Sequence, residues 1–165
     1  MKTLFLLRHA KSSWSDPQLS DFDRPLNERG RRTAPFMGQV MRERGYRPAI
    51  IISSPARRAK DTAMLVAGVL EHPESIQFED RLYEAGPQTL LSVTLAIDND
   101  HSSAMLVGHN PGTEGFVRLL TGQNEPMPTA SLAVIELAIE SWSDADLSRG
   151  NLKEVLRPKE LSQQD

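Results

Sequence analysis

Three short stretches of the chain are apolar almost without interruption, and each ends abruptly in polar residues. They cover positions 3–7, 49–52 and 104–107. Runs of this kind, closed by turn signals, predict strands buried on both faces, as in a parallel sheet. Asn27 stands before Glu28-Arg29-Gly30-Arg31-Arg32, which predicts a helix capped by Asn27 that ends near Arg44, before Gly45. Pro35 falls inside that helix and predicts a kink, because proline removes a backbone donor. Further helices are expected at 56–70, 88–98 and 113–120. A weak strand is expected at 76–79, and a firmer one at 132–138. The latter is expected to form a hairpin with 152–156 across the turn-rich segment 143–150. Residues 11–24, with Pro17, read as a loop. Strands alternating with helices predict an α/β fold with a mostly parallel sheet. No repeat or linker breaks it, so one domain is expected over 1–158, followed by a frayed polar tail at 159–165.

Composition narrows the function classes. A chain of 165 residues, 39% hydrophobic and 25% charged, can bury a real core and reads as a soluble globular protein. The net charge of −3 argues against nucleic acid as a partner, which needs a dominant positive field. There is no cysteine, so disulfides, thiolate catalysis and cysteine-held metals are excluded. The apolar run at the start is cut short by Arg8 and is far too short for a signal-peptide core or a membrane span. A cytoplasmic protein with no membrane partner is expected.

The polar residues that end the strands carry the chemistry. In open α/β sheets, ligands bind beyond the carboxyl ends of the strands. The first strand ends in Arg8-His9-Ala10-Lys11, the second in Ser53-Ser54-Pro55 with Arg57 and Arg58 one turn on, and the fourth in Gly108-His109-Asn110. A parallel sheet would gather these clusters on one edge. Arginines grip phosphate through forked, charge-assisted hydrogen bonds. A neutral imidazole is a competent nucleophile toward phosphorus, and nearby guanidinium charge keeps it neutral. His9 is the candidate nucleophile, and His109 a candidate donor to phosphoryl oxygens. Glu84, in Arg81-Leu82-Tyr83-Glu84-Ala85, is either the acid that protonates a leaving group or a helix-start carboxylate. Lys11, Ser12 and Trp14 line a pocket mouth or are ordinary loop. Arg29, Arg31 and Arg32 read as a solvated helix face. His72 and His101 have no partner motif. No phosphate-binding glycine loop of the nucleotide-driven enzymes is present.

Five ordered motifs resemble those of the histidine phosphatase superfamily. Arg8-His9-Ala10 is similar to its Arg-His-Gly/Ala signature. Ser54-Pro55-Ala56-Arg57-Arg58-Ala59-Lys60-Asp61-Thr62-Ala63 matches its second element at every fixed place. Leu26-Asn27-Glu28-Arg29-Gly30, Leu82-Tyr83-Glu84 and Val107-Gly108-His109-Asn110 match the other three. The short connections resemble the phosphohistidine phosphatase (SixA-type) branch. The resemblance implies a phosphoglycerate mutase-like three-layer α/β/α sandwich with an open, shallow pocket. It selects Arg58 over Arg57 as the phosphate ligand, and it places the equivalent of Asn27 near the phosphate.

The expected activity is metal-independent, cofactor-free hydrolysis of phosphohistidine on a protein partner, through a phosphohistidine formed on His9. Arg8, Arg58 and His109 would hold the phosphoryl group, with Asn27 and Lys11 as further ligands and Glu84 as the acid. The alternatives are a phosphatase for small phosphoesters such as sugar or nucleotide phosphates, and a phosphoprotein-binding module without turnover.

Overall fold

The structure is a computed structural model and describes residues 1–146 and 149–162. Its sheet has six strands: β1 (Lys2–Arg8), β2 (Ile50–Ser53), β3 (Gln77–Phe78), β4 (Ser103–Gly108), β5 (Leu132–Leu137) and β6 (Asn151–Leu156). Their order is β3-β2-β4-β1-β5-β6. The pairs β3–β2, β2–β4 and β4–β1 are parallel. β5 is antiparallel to both β1 and β6. The helices are α1 (Glu28–Glu43), α2 (Arg57–Leu70), α3 (Pro87–Leu95), α4 (Gly112–Thr121) and α5 (Pro158–Ser162).

Strand periodicity explains why the central runs are apolar throughout. Successive side chains point to opposite faces. Leu4 and Leu6 of β1 therefore join the core under α3 and α4, with Leu90, Val93, Phe116 and Val117. Phe5 and Leu7 join the core under α1 and α2, with Ala34, Met37, Ala63 and Val66. A strand covered on both faces keeps its polar residues to its ends, as with Lys2 and Arg8 in β1, Ser53 in β2 and Ser103 in β4. The arrangement is the expected three-layer sandwich.

Asn27 caps α1, its Oδ1 accepting from the Gly30 N–H at 2.8 Å. Pro35 lies within α1, which continues through it to Glu43. The weak third strand shrinks to the exposed edge pair Gln77–Phe78. Where a frayed tail was expected, Pro158–Ser162 form α5, which packs on α1, with Leu161 against the core. Pro158 favours a helix start. Arg157 also anchors the segment, pairing with Glu125 at 2.6 Å. The expected turn at 143–150 includes Leu147 and Ser148, which lie outside the described residues, as do positions 163–165 of the tail. Among the described residues, no helix is long and apolar enough to cross a membrane.

Candidate active site

Register brings the strand-end clusters together. Arg8 of β1 lies opposite Gly108 of β4, and Ser53 of β2 lies opposite Val107. The next residues, His9, His109 and Ser54, therefore leave the sheet side by side. The two histidines border a cavity of about 250 Å³ whose lining includes Arg8, His9, Lys11, Arg24, Arg58 and His109.

The His9 backbone is clamped at both ends. Its N–H donates to the Gly108 carbonyl, and its own carbonyl accepts from the Ala130 N–H, each at 3.0 Å. In the side chain, Nδ1 lies 2.7 Å from the Ala10 carbonyl. A carbonyl can only accept, so Nδ1 carries the proton of the neutral ring and Nε2 keeps its lone pair. Burial pushes the His9 pKa down to about 3, and the charges of His109, Arg58 and Arg8 act in the same direction.

The His109 ring lies 5.1 Å from that of His9, centroid to centroid. Its Nε2 is 2.8 Å from the Ser54 hydroxyl. Burial, and then the Arg58 charge, hold its pKa down at about 4.

The buried Arg58 guanidinium is fixed from the side of the 11–24 loop. Its Nη1 donates to the Asp21 carbonyl at 2.6 Å, and its Nη2 to the Asp21 carboxylate at 3.0 Å. The same carboxylate accepts from the Tyr83 hydroxyl at 2.6 Å and from Arg24 at 3.1 Å. Arg24 is itself buried, with its guanidinium carbon 3.4 Å from the centroid of the Trp14 ring. Tyr83 in turn packs edge-on against His109, at 5.6 Å. Arg8 donates to the Met127 carbonyl at 3.0 Å. Asn110 bridges that carbonyl and Glu114, at 3.0 and 2.9 Å.

Thr62 ties the second motif to the first. Its hydroxyl accepts from the Ala10 N–H at 2.9 Å and donates to the Arg58 carbonyl at 2.7 Å. The glycine of Leu26-Asn27-Glu28-Arg29-Gly30 allows a close backbone approach, since a Cβ there would sit 2.2 Å from the Lys11 carbonyl oxygen. That contact seats the start of α1 directly behind the His9 loop.

The structure thus gathers Arg8, His9, Lys11, Arg58 and His109 around one cavity. It does not bring Asn27 or Glu84 into that lining. Asn27 spends its side-chain oxygen on the helix cap. Glu84 is exposed, in left-handed backbone at φ 57, one residue past the ring that touches His109. Arg57 pairs on the surface with Asp61 at 3.7 Å. Sequence reasoning missed Asp21, Arg24, Tyr83 and Glu114. Among the described residues, no cluster of three or more His, Cys, Asp or Glu side chains is arranged to hold a metal ion.

Electrostatically, three guanidiniums and two unprotonated imidazoles face a cavity of phosphate size. The arginines can neutralise a tetrahedral oxyanion while the His9 Nε2 lone pair stays available for attack.

The chain is similar to known proteins in sequence and in fold. Residues 4–111 match the histidine phosphatase superfamily (branch 1). An uncharacterized chloroplastic protein of Arabidopsis thaliana is 32% identical over 155 residues, covering 87% of this chain and 70% of its own. A protein assigned as the phosphohistidine phosphatase SixA of Agrobacterium tumefaciens is 33% identical, with a TM-score of 0.83 over 95% of this chain and 98% of its own. A protein histidine phosphatase SixA complexed with tungstate shares the fold, with a TM-score of 0.84 at 21% identity, over 96% of this chain and 99% of its own. The paired strand-end histidines, their arginines and these matches converge: the chain belongs to the histidine phosphatase superfamily and is of the SixA type.

Proposed function

We propose that this phosphatase hydrolyses phosphohistidine on a protein substrate, by way of a phosphohistidine formed on its own His9. The observation that carries the reading is the Nδ1 bond of His9 to the Ala10 carbonyl, which leaves Nε2 unprotonated inside an arginine-lined cavity.

In the first step the Nε2 lone pair attacks phosphorus. The P–N bond of the substrate breaks, and its electron pair returns to the departing imidazole nitrogen, which takes up a proton from solvent. Arg8 and Arg58 neutralise the phosphoryl oxygens through the transfer. His109, neutral with a pKa of about 4, stands beside them as a further donor through its one ring N–H. In the second step water attacks phosphorus, the P–Nε2 bond breaks, and inorganic phosphate leaves with His9 neutral again. No step is assigned to a metal ion.

The position of Glu84 favours phosphohistidine over phosphoesters. An alkoxide leaving group needs a positioned acid. The Glu84 carboxylate is exposed and outside the cavity lining. An imidazole is a far better leaving group and tolerates that absence. Comparing turnover of a phosphohistidine protein with a panel of small phosphoesters, in wild type and Glu84→Gln, tests the reading. A preference for phosphohistidine that survives Glu84→Gln is expected. A preference for esters that collapses in Glu84→Gln would overturn it.

A further inference from the structure

The catalytic cavity does not stand alone. A second groove of about 330 Å³ opens beside it, and Lys11 and Thr129 line both. Arg29, Arg32 and Phe36 lie on one face of α1, at helical spacing, and Pro128 and Lys159 approach from the other side. The groove therefore has an apolar floor and a cationic rim.

Charge singles out this face. The protein as a whole carries −3, yet four cations and no carboxylate line the groove. Among the described residues, Lys11 and Arg29 have no ion-pair partner. Arg32 meets Glu28 at 3.2 Å, but with side chains 70% and 79% exposed that pair is weak in water. Arg31 does not join the rim, because its guanidinium donates to the Leu26 carbonyl at 2.9 Å. Arg29 and Arg32 are exposed, as expected for this cluster, and line the groove, whereas Arg31 turns to the Leu26 carbonyl.

We propose that this groove docks an acidic stretch of polypeptide next to the phosphohistidine of the protein substrate. The inference rests on the function proposed above and adds the chemistry of the partner. Cations on the rim would pair with Asp or Glu side chains, and Phe36 and Pro128 would receive an apolar side chain between them. Lys11, shared by both cavities, would link docking to the transferred phosphoryl group. Such contacts raise the encounter rate and weaken as salt rises.

The test uses two phosphohistidine peptides, one flanked by Asp and Glu and one by Ser and Gln, with wild type, R29Q/R32Q and the charge-matched surface control R42Q/R118Q. Loss of two exposed ion-pair contacts should raise KM for the acidic peptide by about fivefold to tenfold in R29Q/R32Q. KM for the neutral peptide should stay within about twofold, and wild type should lose its preference for the acidic peptide at high salt. The control should retain that preference. Equal handling of both peptides by wild type, or equal losses on both in R29Q/R32Q, would overturn the docking site. So would a groove dependence seen only with a small bisphosphorylated ester. If neither peptide is turned over, the proposed function fails, and docking is judged separately by anisotropy of a labelled, unphosphorylated acidic peptide. Binding by wild type that R29Q/R32Q loses supports the groove, and no binding overturns it.

Discussion

Asp21 holds Arg58 by two contacts, its carbonyl on Nη1 at 2.6 Å and its carboxylate on Nη2 at 3.0 Å. The guanidinium that would grip phosphate is thus oriented by a residue from a distant loop, which Tyr83 fixes in turn. Asp21 acts through Arg58, which makes it a positioning residue.

Replacing Asp21 with Asn keeps the shape and removes the charge. Its carboxylate is partly exposed, so the cost in stability should be no more than about 1 kcal/mol. The cost in kcat/KM should be larger, about tenfold, because a small misplacement of a phosphate ligand disrupts the reacting geometry. Steady-state kinetics beside urea unfolding separates the two. The Tyr83 hydroxyl chiefly, then Arg58 and Arg24, hold the Asp21 pKa at about 2, below its ordinary 3.8. A depressed acid stabilises the fold above its unfolded pKa. Its contribution is present above pH 3.8 and is lost as pH falls toward 2.

His9 and His109 should stay unprotonated far below the ordinary histidine range, since their pKa values lie near about 3 and about 4 rather than 6.5. Their imidazole proton resonances should therefore hold still between pH 8 and about pH 5.5 in an NMR titration. A midpoint near 6.5 for either ring would contradict the electrostatics. The stability consequence has the opposite sign to that of a histidine that gains an acidic partner. Below 6.5 the unfolded chain binds protons that the folded protein refuses, so stability declines as pH falls from 6.5 toward 4.

Gly30→Ala should be destabilising even though alanine is the better helix former by about 1 kcal/mol. Its Cβ would meet a backbone carbonyl at 2.2 Å, which cannot rotate away. Overpacking of this kind costs about 1–3 kcal/mol or more, so the clash should win. Denaturant unfolding measures the sign directly, and a more stable variant would contradict the close approach of α1 to the His9 loop.

Thr62→Val keeps the shape of the side chain but strips the Ala10 N–H of its partner. A buried donor left unpaired costs about 1–3 kcal/mol. The variant should lose stability in that range and lose phosphatase activity as well, because the Ala10 carbonyl accepts the hydrogen bond from His9 Nδ1–H. A change below about 0.5 kcal/mol would show that the bond contributes little.

Local patterns carry the parts of this protein that are locally determined. Strands β1, β2 and β4 were legible because burial on both faces keeps their central positions apolar. Asn27 was legible as a cap because capping depends on neighbours three residues apart. His9, His109, Arg8 and Arg58 were legible because parallel pairing gathers strand ends. Asp21, Arg24 and Tyr83 were not, because Asp21 meets Arg58 across 37 residues and Tyr83 across 62, and no periodicity marks such contacts. The one available signal was Arg24 among Asp21 and Asp23, a compact charged knot just before Pro25. α5 was missed because its polar surface hides a single inward-facing leucine, Leu161.

The central claim is that the phosphoryl group passes through His9. Wild type and His9→Ala can be incubated with a radiolabelled phosphohistidine protein, quenched in alkali and mapped by peptide. An acid-labile, alkali-stable phosphate is expected on the wild-type peptide that carries His9, with neither label nor turnover in His9→Ala. Label absent from that peptide during turnover, or undiminished activity in His9→Ala, would contradict it.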